Sequence, residues 1–255
     1  MTNLNLVQKG EETNDKVVVF VGSIASTTEM WAPQLDALAA DYRVIAVDHR
    51  GHGGSPLADV AEGEASIAMF SEDILSALSD AGVEDFAVVG LSLGGAVAQY
   101  LAAHSPRVTK AVFACTAAYF GGPEKWEPRA ELTRAEGMAP MVDAVVSLWL
   151  TEDFRDSHPE VEQAAKDMVL SVSGDGYAQC SDALAKWDFR DELSAITCPV
   201  LTIAGELDES TPPATVAAIA EGISGPKQSV VVPGAHVPTL EAPEEFTRAL
   251  RDFLR

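Results

Sequence analysis

Apolar residues along this chain fall into short unbroken runs, separated by stretches in which they recur every three or four positions. "KVVVFVG" (16–22), "YRVIAVD" (42–48), "DFAVVG" (85–90), "KAVFAC" (110–115), "PVLTIAG" (199–205) and "QSVVVPG" (228–234) predict six β-strands. None of them alternates polar with apolar, the pattern of strands covered by helices on both faces. "LNLVQ", near the start, fits an edge strand. Between the runs, Ile67, Phe70, Ile74 and Leu78 make a stripe at helical spacing that Gly82 ends. Further helices are expected over 94–104, 213–221 and 243–254. Strands alternating with helices predict a largely parallel sheet with right-handed crossovers.

The alternation stops between about Phe120 and Phe189, where the pattern yields only helices, over 138–150, 161–170 and 177–187. Pro123, Pro128, Pro140, Pro159 and Gly174 punctuate this stretch. It is expected to be a helical cap, residues 120–189, set into an α/β core formed by 1–119 and 190–255. Repeats and low-complexity tracts are not evident.

Composition narrows the function. The chain has 255 residues and a formal net charge of -22. Without a basic footprint, neither nucleic acid nor an anionic membrane surface is an expected partner, and an anionic substrate would need a cation inside its site. Cys115, Cys180 and Cys198 are odd in number and widely spaced, which predicts buried free thiols in a reducing cytoplasm rather than disulfides. "MTNLNLVQKGEETNDK" lacks the basic start and apolar run of a signal peptide.

The candidate chemistry centres on "VVGLSLGG" (88–95), where Ser92 sits between a predicted strand and a predicted helix. G-x-S-x-G in that context is the nucleophile elbow: a sharp turn lifts the hydroxyl above the sheet edge, at a helix N-terminus. The alternative is a glycine-rich packing corner. A serine needs a base. His236, in the loop after the last strand, is the best placed histidine, and Asp208, in "AGELD", follows the strand before it. Glu206 is the alternative acid. The order Ser92, Asp208, His236 matches a serine-nucleophile triad on an α/β sheet. Leu93 N–H is one expected oxyanion donor; Ile24 N–H, with Ser23 as alternate, is the second. His49 and His52 in "DHRGHGGS" are expected to serve their turn, as is Arg50. His104 and His158 read as surface or helix-end residues. No spacing suits a metal, and no cofactor is expected.

With these motifs in place, the chain resembles the α/β-hydrolase superfamily. "DHRGHGGS", "GLSLGG", "AGELD" and "GAH" carry that likeness. More narrowly, "CTAAYFGGPEKWEPRAELTRAEGM", "WLTEDFRDSHPE", "GYAQCSDAL" and "DFRDEL" resemble the 3-oxoadipate enol-lactonases. That resemblance implies an α/β-hydrolase fold and hydrolysis of an enol-lactone bearing a carboxylate. The family tends to have Asn-Ser at Gly22-Ser23, Leu-Gly at Ile24-Ala25, an arginine at Leu148 before the cap tryptophan Trp149, and an asparagine at Thr239. A general carboxylesterase or a haloperoxidase-like perhydrolase is the alternative. Ser23, Trp126, Arg129 and Trp149 are the expected substrate contacts. Pro128 suits the first turn of a helix, so Trp126 and Arg129 would flank its start. Arg129 would grip the carboxylate and Trp126 cover the ring, unless Arg129 pairs in solvent with Glu127 or Glu131. Lys125 and Arg134 are the other candidate cations. The oligomeric state is not legible.

Overall fold

The computed structural model describes residues 3–255. A seven-stranded sheet runs through the molecule in the order β1-β3-β2-β4-β5-β6-β7. Its strands are β1 (Leu6–Lys9), β2 (Val17–Val21), β3 (Arg43–Val47), β4 (Phe86–Leu91), β5 (Val108–Ala114), β6 (Val200–Gly205) and β7 (Lys227–Val232). β1 pairs antiparallel with β3; every other pairing is parallel. α1 (Ala32–Leu38), α2 (Ile67–Asp80), α3 (Leu93–His104), α9 (Pro213–Gly222) and α11 (Pro243–Leu254) accompany the sheet, with the short α10 (Pro238–Glu241) before α11.

The unbroken apolar runs become buried strands: every residue of β2, β3, β4 and β6 is buried. Each Val, Leu, Ile or Phe among them contributes about 1.5–3 kcal/mol by leaving water. Trp31 anchors one flank, with its ring 5.0 Å from Phe20 and 6.2 Å from Phe246. β7 departs from the expectation of strands covered on both faces. It is the sheet edge, and all its residues but Val232 are exposed. β1 is the expected opposite edge.

Between β5 and β6 the chain forms α4 (Pro123–Glu136), α5 (Val142–Trp149), α6 (Glu152–Ser157), α7 (Pro159–Ser171) and α8 (Gly174–Ala185). The first differs from expectation. Pro128 lies inside α4 rather than in its first turn, because the helix already starts at Pro123. Without an N–H, Pro128 gives up the bond to the Glu124 carbonyl, ordinarily a cost of about 3 kcal/mol. α4 is kept by packing along α8, so closely that a Cβ on Gly174 would lie 2.2 Å from the Thr133 carbonyl oxygen. The two ends of the insertion meet. Tyr119 and Asp188 form an isolated antiparallel bridge, and Phe189 N–H donates to the Ala118 carbonyl at 2.8 Å.

Cys115 and Cys180 are buried free thiols as expected, but Cys198 is only half-buried. No helix among the described residues is long and apolar enough to cross a membrane.

Candidate active site

Ser92 joins β4 to α3 in a left-handed backbone conformation, φ 58°. The turn exists because two glycines let strand and helix nearly touch. A Cβ on Gly90 would sit 2.0 Å from the Gly94 carbonyl oxygen, and one on Gly94 2.0 Å from that of Val21. Ser92 N–H continues the sheet ladder to the Ala114 carbonyl (3.0 Å), while its own carbonyl accepts from Thr116 Oγ1 at 2.7 Å.

The loops after β6 and β7 bring Asp208 and His236 together. Asp208 Oδ2 accepts from His236 Nδ1 at 2.9 Å and from Thr211 Oγ1 at 2.7 Å; its Oδ1 accepts from Ser210 N–H (2.8 Å) and Thr211 N–H (3.0 Å). Burial works to raise the Asp208 pKa, but His236 and Thr211 outweigh it and hold the carboxyl below its usual range. With its hydrogen on Nδ1, His236 keeps a lone pair on Nε2, which has no protein partner among the described residues. Glu206 does not share this contact; it is exposed, and its N–H donates to the Val232 carbonyl.

Ser92 and His236 line one cavity of about 200 Å³ together with Ser23, Ile24, Trp126, Arg129, Leu148 and Trp149. No hydrogen bond joins Ser92 Oγ to His236 among the described residues. The insertion supplies one side of this cavity, and Arg129 lies 4.9 Å over the Trp126 ring. Neither Arg129 nor Lys125, which also lines the cavity, forms an ion pair with a carboxylate among the described residues. Burial, then the charge of Arg129, lowers the Lys125 pKa. Glu209 is the one carboxylate among the lining residues. Arg134 is elsewhere, paired with Asp182 and Glu62.

The loop after β2 sorts its donors sharply. Ser23 N–H points to Met30 Sδ (3.4 Å), Ala25 N–H to His52 Nε2 (3.3 Å) and Ser26 N–H to the Ser23 carbonyl (3.3 Å). Ile24 N–H and Leu93 N–H have no acceptor among the described residues. Ala25, where glycine is the family tendency, holds φ 66°. Ser23 Oγ is buried and has no hydrogen-bond partner among the described residues.

His104 ends α3 on the surface and His158 begins α7 there, as expected. Arg50 does not serve its own turn: it pairs with Asp73 of α2 in the interior. Thr239 is fully buried and does not line the cavity; its carbonyl accepts from Gln34 Nε2 at 3.2 Å. Glu241 had no sequence signal beyond its place after the histidine loop. It accepts from Ala235 N–H (2.9 Å), next to His236, and from Thr151 N–H (3.3 Å) of the insertion. No group of three or more His, Cys, Asp or Glu side chains among the described residues is arranged to hold a metal.

Burial also tunes acid stability. It lowers the pKa of His49, and, with the nearby His49, brings His52 from its ordinary 6.5 to about 3. Between those values the unfolded chain binds a proton that the folded chain refuses, so stability contributed here falls as pH drops below about 6.5. Thermal unfolding from pH 7.5 to 5 should therefore show a steeper fall in Tm for wild type than for His52→Gln. The acidic surface changes alike in both; parallel curves would contradict the assignment.

The chain belongs to the α/β-hydrolase fold family, whose model matches residues 16–243. Among its relatives within that class are hydrolases of esters and lactones. It is 31% identical to 3-oxoadipate enol-lactonase 2 of Acinetobacter baylyi, over 93% of this chain and 88% of that one. The crystal structure of an enol-lactonase from Burkholderia xenovorans LB400 superposes with a TM-score of 0.94 at 33% identity, covering 99% and 96% of the two chains. A thermophilic esterase from Thermogutta terrifontis, solved with malate bound, follows with a TM-score of 0.92 at 30% identity, covering 100% and 93%.

Proposed function

We propose that the chain is a serine hydrolase that opens the ring of 3-oxoadipate enol-lactone to give 3-oxoadipate, in the β-ketoadipate route of aromatic-acid breakdown. The observation that carries the reading is the Asp208–His236 hydrogen bond beside the cavity that Ser92 and His236 share. In this mechanism His236 Nε2 takes the Ser92 proton as Oγ attacks the lactone carbonyl. Asp208 holds the imidazole in the required tautomer and stabilises its charged form. Leu93 N–H and Ile24 N–H receive the tetrahedral oxyanion. Collapse breaks the ring C–O bond and expels an enolate, which takes a proton and ketonises, so the ring does not readily reclose. Water, deprotonated by His236, then attacks the acyl-enzyme and frees Ser92.

The substrate class is supported by the enol-lactonase relatives and by the two cavity cations, Lys125 and Arg129, that have no carboxylate partner among the described residues. A chain of net charge -22 repels an anion at long range, so local cations have to offset that field. Arg129, laid over Trp126, is the proposed carboxylate anchor, with two parallel hydrogen bonds available to it. Trp149 and Leu148 supply apolar wall.

The test follows enol-lactone, generated in situ, by its ultraviolet absorbance in the presence of the purified chain. Turnover should exceed that of neutral esters in kcat/KM; brisk hydrolysis of neutral esters with no lactone turnover would instead favour a general carboxylesterase; the Thermogutta neighbour is an esterase. Arg129→Ala should lose about 1.5–3 kcal/mol in kcat/KM on the carboxylated lactone, the worth of a hydrogen bond to a charged group. p-Nitrophenyl acetate hydrolysis should barely change. Equal loss on both would make Arg129 a support of α4 and leave Lys125 as the carboxylate partner.

A further inference from the structure

The turn after β3 grips the loop after β2 at three points. His49 Nε2 donates to the Gly22 carbonyl at 2.9 Å, His52 Nε2 accepts from Ala25 N–H at 3.3 Å, and Asp48 Oδ1 accepts from Thr28 N–H at 2.7 Å. The middle contact adjoins Ile24, whose N–H is the one donor of the four from Ser23 to Ser26 left without an acceptor among the described residues. The peptide that ends in Ala25 N–H begins at Ile24, so whatever holds that N–H also sets the backbone on which Ile24 turns. Ala25 is not a glycine and yet sits at φ 66°. An L-residue keeps that conformation only where its surroundings over-determine it.

We infer that His52 is a positioning residue for the oxyanion site: its Nε2 lone pair takes Ala25 N–H, locks Ala25 in the left-handed region and so aims Ile24 N–H into the cavity beside Ser92. The inference rests on the reading of Ser92 as nucleophile and Ile24 N–H as donor. The ring is set up for this task. His52 Nδ1 lies 2.8 Å from the Arg50 carbonyl, an acceptor only, so the ring hydrogen belongs on Nδ1 and Nε2 is free to accept. His52 is fully buried, and burial keeps it neutral. A protonated ring would present a hydrogen to the Ala25 N–H and push the loop away. His49 differs: it donates to a carbonyl that Gly94 N–H also serves at 3.0 Å, so the start of the loop has a second tether, whereas Ala25 N–H has none among the described residues.

His52→Phe keeps a planar ring of similar volume and loses the acceptor; His52→Gln offers an acceptor oxygen at similar reach. With p-nitrophenyl acetate, which does not depend on the lactone reading, His52→Phe should lose roughly tenfold to a hundredfold in kcat, less than or equal to the removal of one oxyanion donor. KM should stay within about threefold, since an oxyanion donor acts on the transition state. Phosphonylation of Ser92 by a fluorophosphonate should slow in parallel. His52→Gln should recover most of the lost kcat. Equal losses in both variants, or a loss carried by KM, would overturn the inference. The unmutated protein supplies a measurement independent of whether the variants fold: long-range proton–nitrogen correlation of the His52 ring should show hydrogen on Nδ1, and hydrogen on Nε2 would overturn it. A wild-type chain that hydrolyses no ester and takes no label at Ser92 overturns the hydrolase reading and this inference with it. An active wild type with an unaffected His52→Phe overturns this inference alone.

Discussion

Ser92→Ala is expected to lower kcat by about four to six orders of magnitude while leaving the protein folded. The hydroxyl is the group that would form the acyl bond; the other cavity hydroxyl beside His236, that of Thr211, donates to Asp208 at 2.7 Å and faces Nδ1 rather than Nε2. The turn does not depend on it. Gly90 and Gly94 provide the close approach, and the ladder to Ala114 and the bond from Thr116 use Ser92 backbone atoms that alanine keeps. Circular dichroism and Tm should therefore match wild type within a few degrees. A variant that kept more than about a tenth of wild-type kcat would sink the nucleophile assignment, because removal of a true nucleophile costs far more.

Asp208→Asn should cost about 10⁴-fold in kcat, and Glu206→Gln less than about twofold. The amide oxygen can still accept from Ser210 N–H and Thr211 N–H, so the loop keeps its shape. The amide nitrogen, however, can turn toward His236 Nδ1 and donate to it. That forces the ring hydrogen onto Nε2 and removes the lone pair proposed to serve Ser92. Should Glu206→Gln do the damage while Asp208→Asn stays within about tenfold of wild type, the acid has been misassigned.

The sheet was legible because buried parallel strands are written as unbroken apolar runs, and the elbow because strand, G-x-S-x-G and helix are adjacent in the chain. The helices are a different matter. In "PEKWEPRAELTRAE" only Trp126, Ala130 and Thr133 are buried. That leaves too few apolar positions to show a helical period, and Pro128 mimics a helix start. α1 leaves no clear pattern although Trp31, Leu35 and Leu38 are all buried at helical spacing, because seven residues give less than two turns. The contact between Asp208 and His236 followed from chain order on a known topology. The partners of the turn after β3 did not: nothing in "DHRGHGGS" says that Arg50 reaches α2 or that His52 meets Ala25 across 27 positions.

The meeting of Ala118 with Phe189, and of Tyr119 with Asp188, has an evolutionary side. A segment that leaves and re-enters a scaffold at one point can be traded for another of any length, because the ends to be joined are already side by side. Trp126, Arg129, Val145, Trp149 and Tyr177 all lie within it, whereas Ser92, Asp208 and His236 all lie outside. Recombination at this single junction can replace one wall of the cavity in one event and leave the groups on the sheet edge untouched. A lineage can thus explore new ligands without first dismantling the proposed catalytic groups.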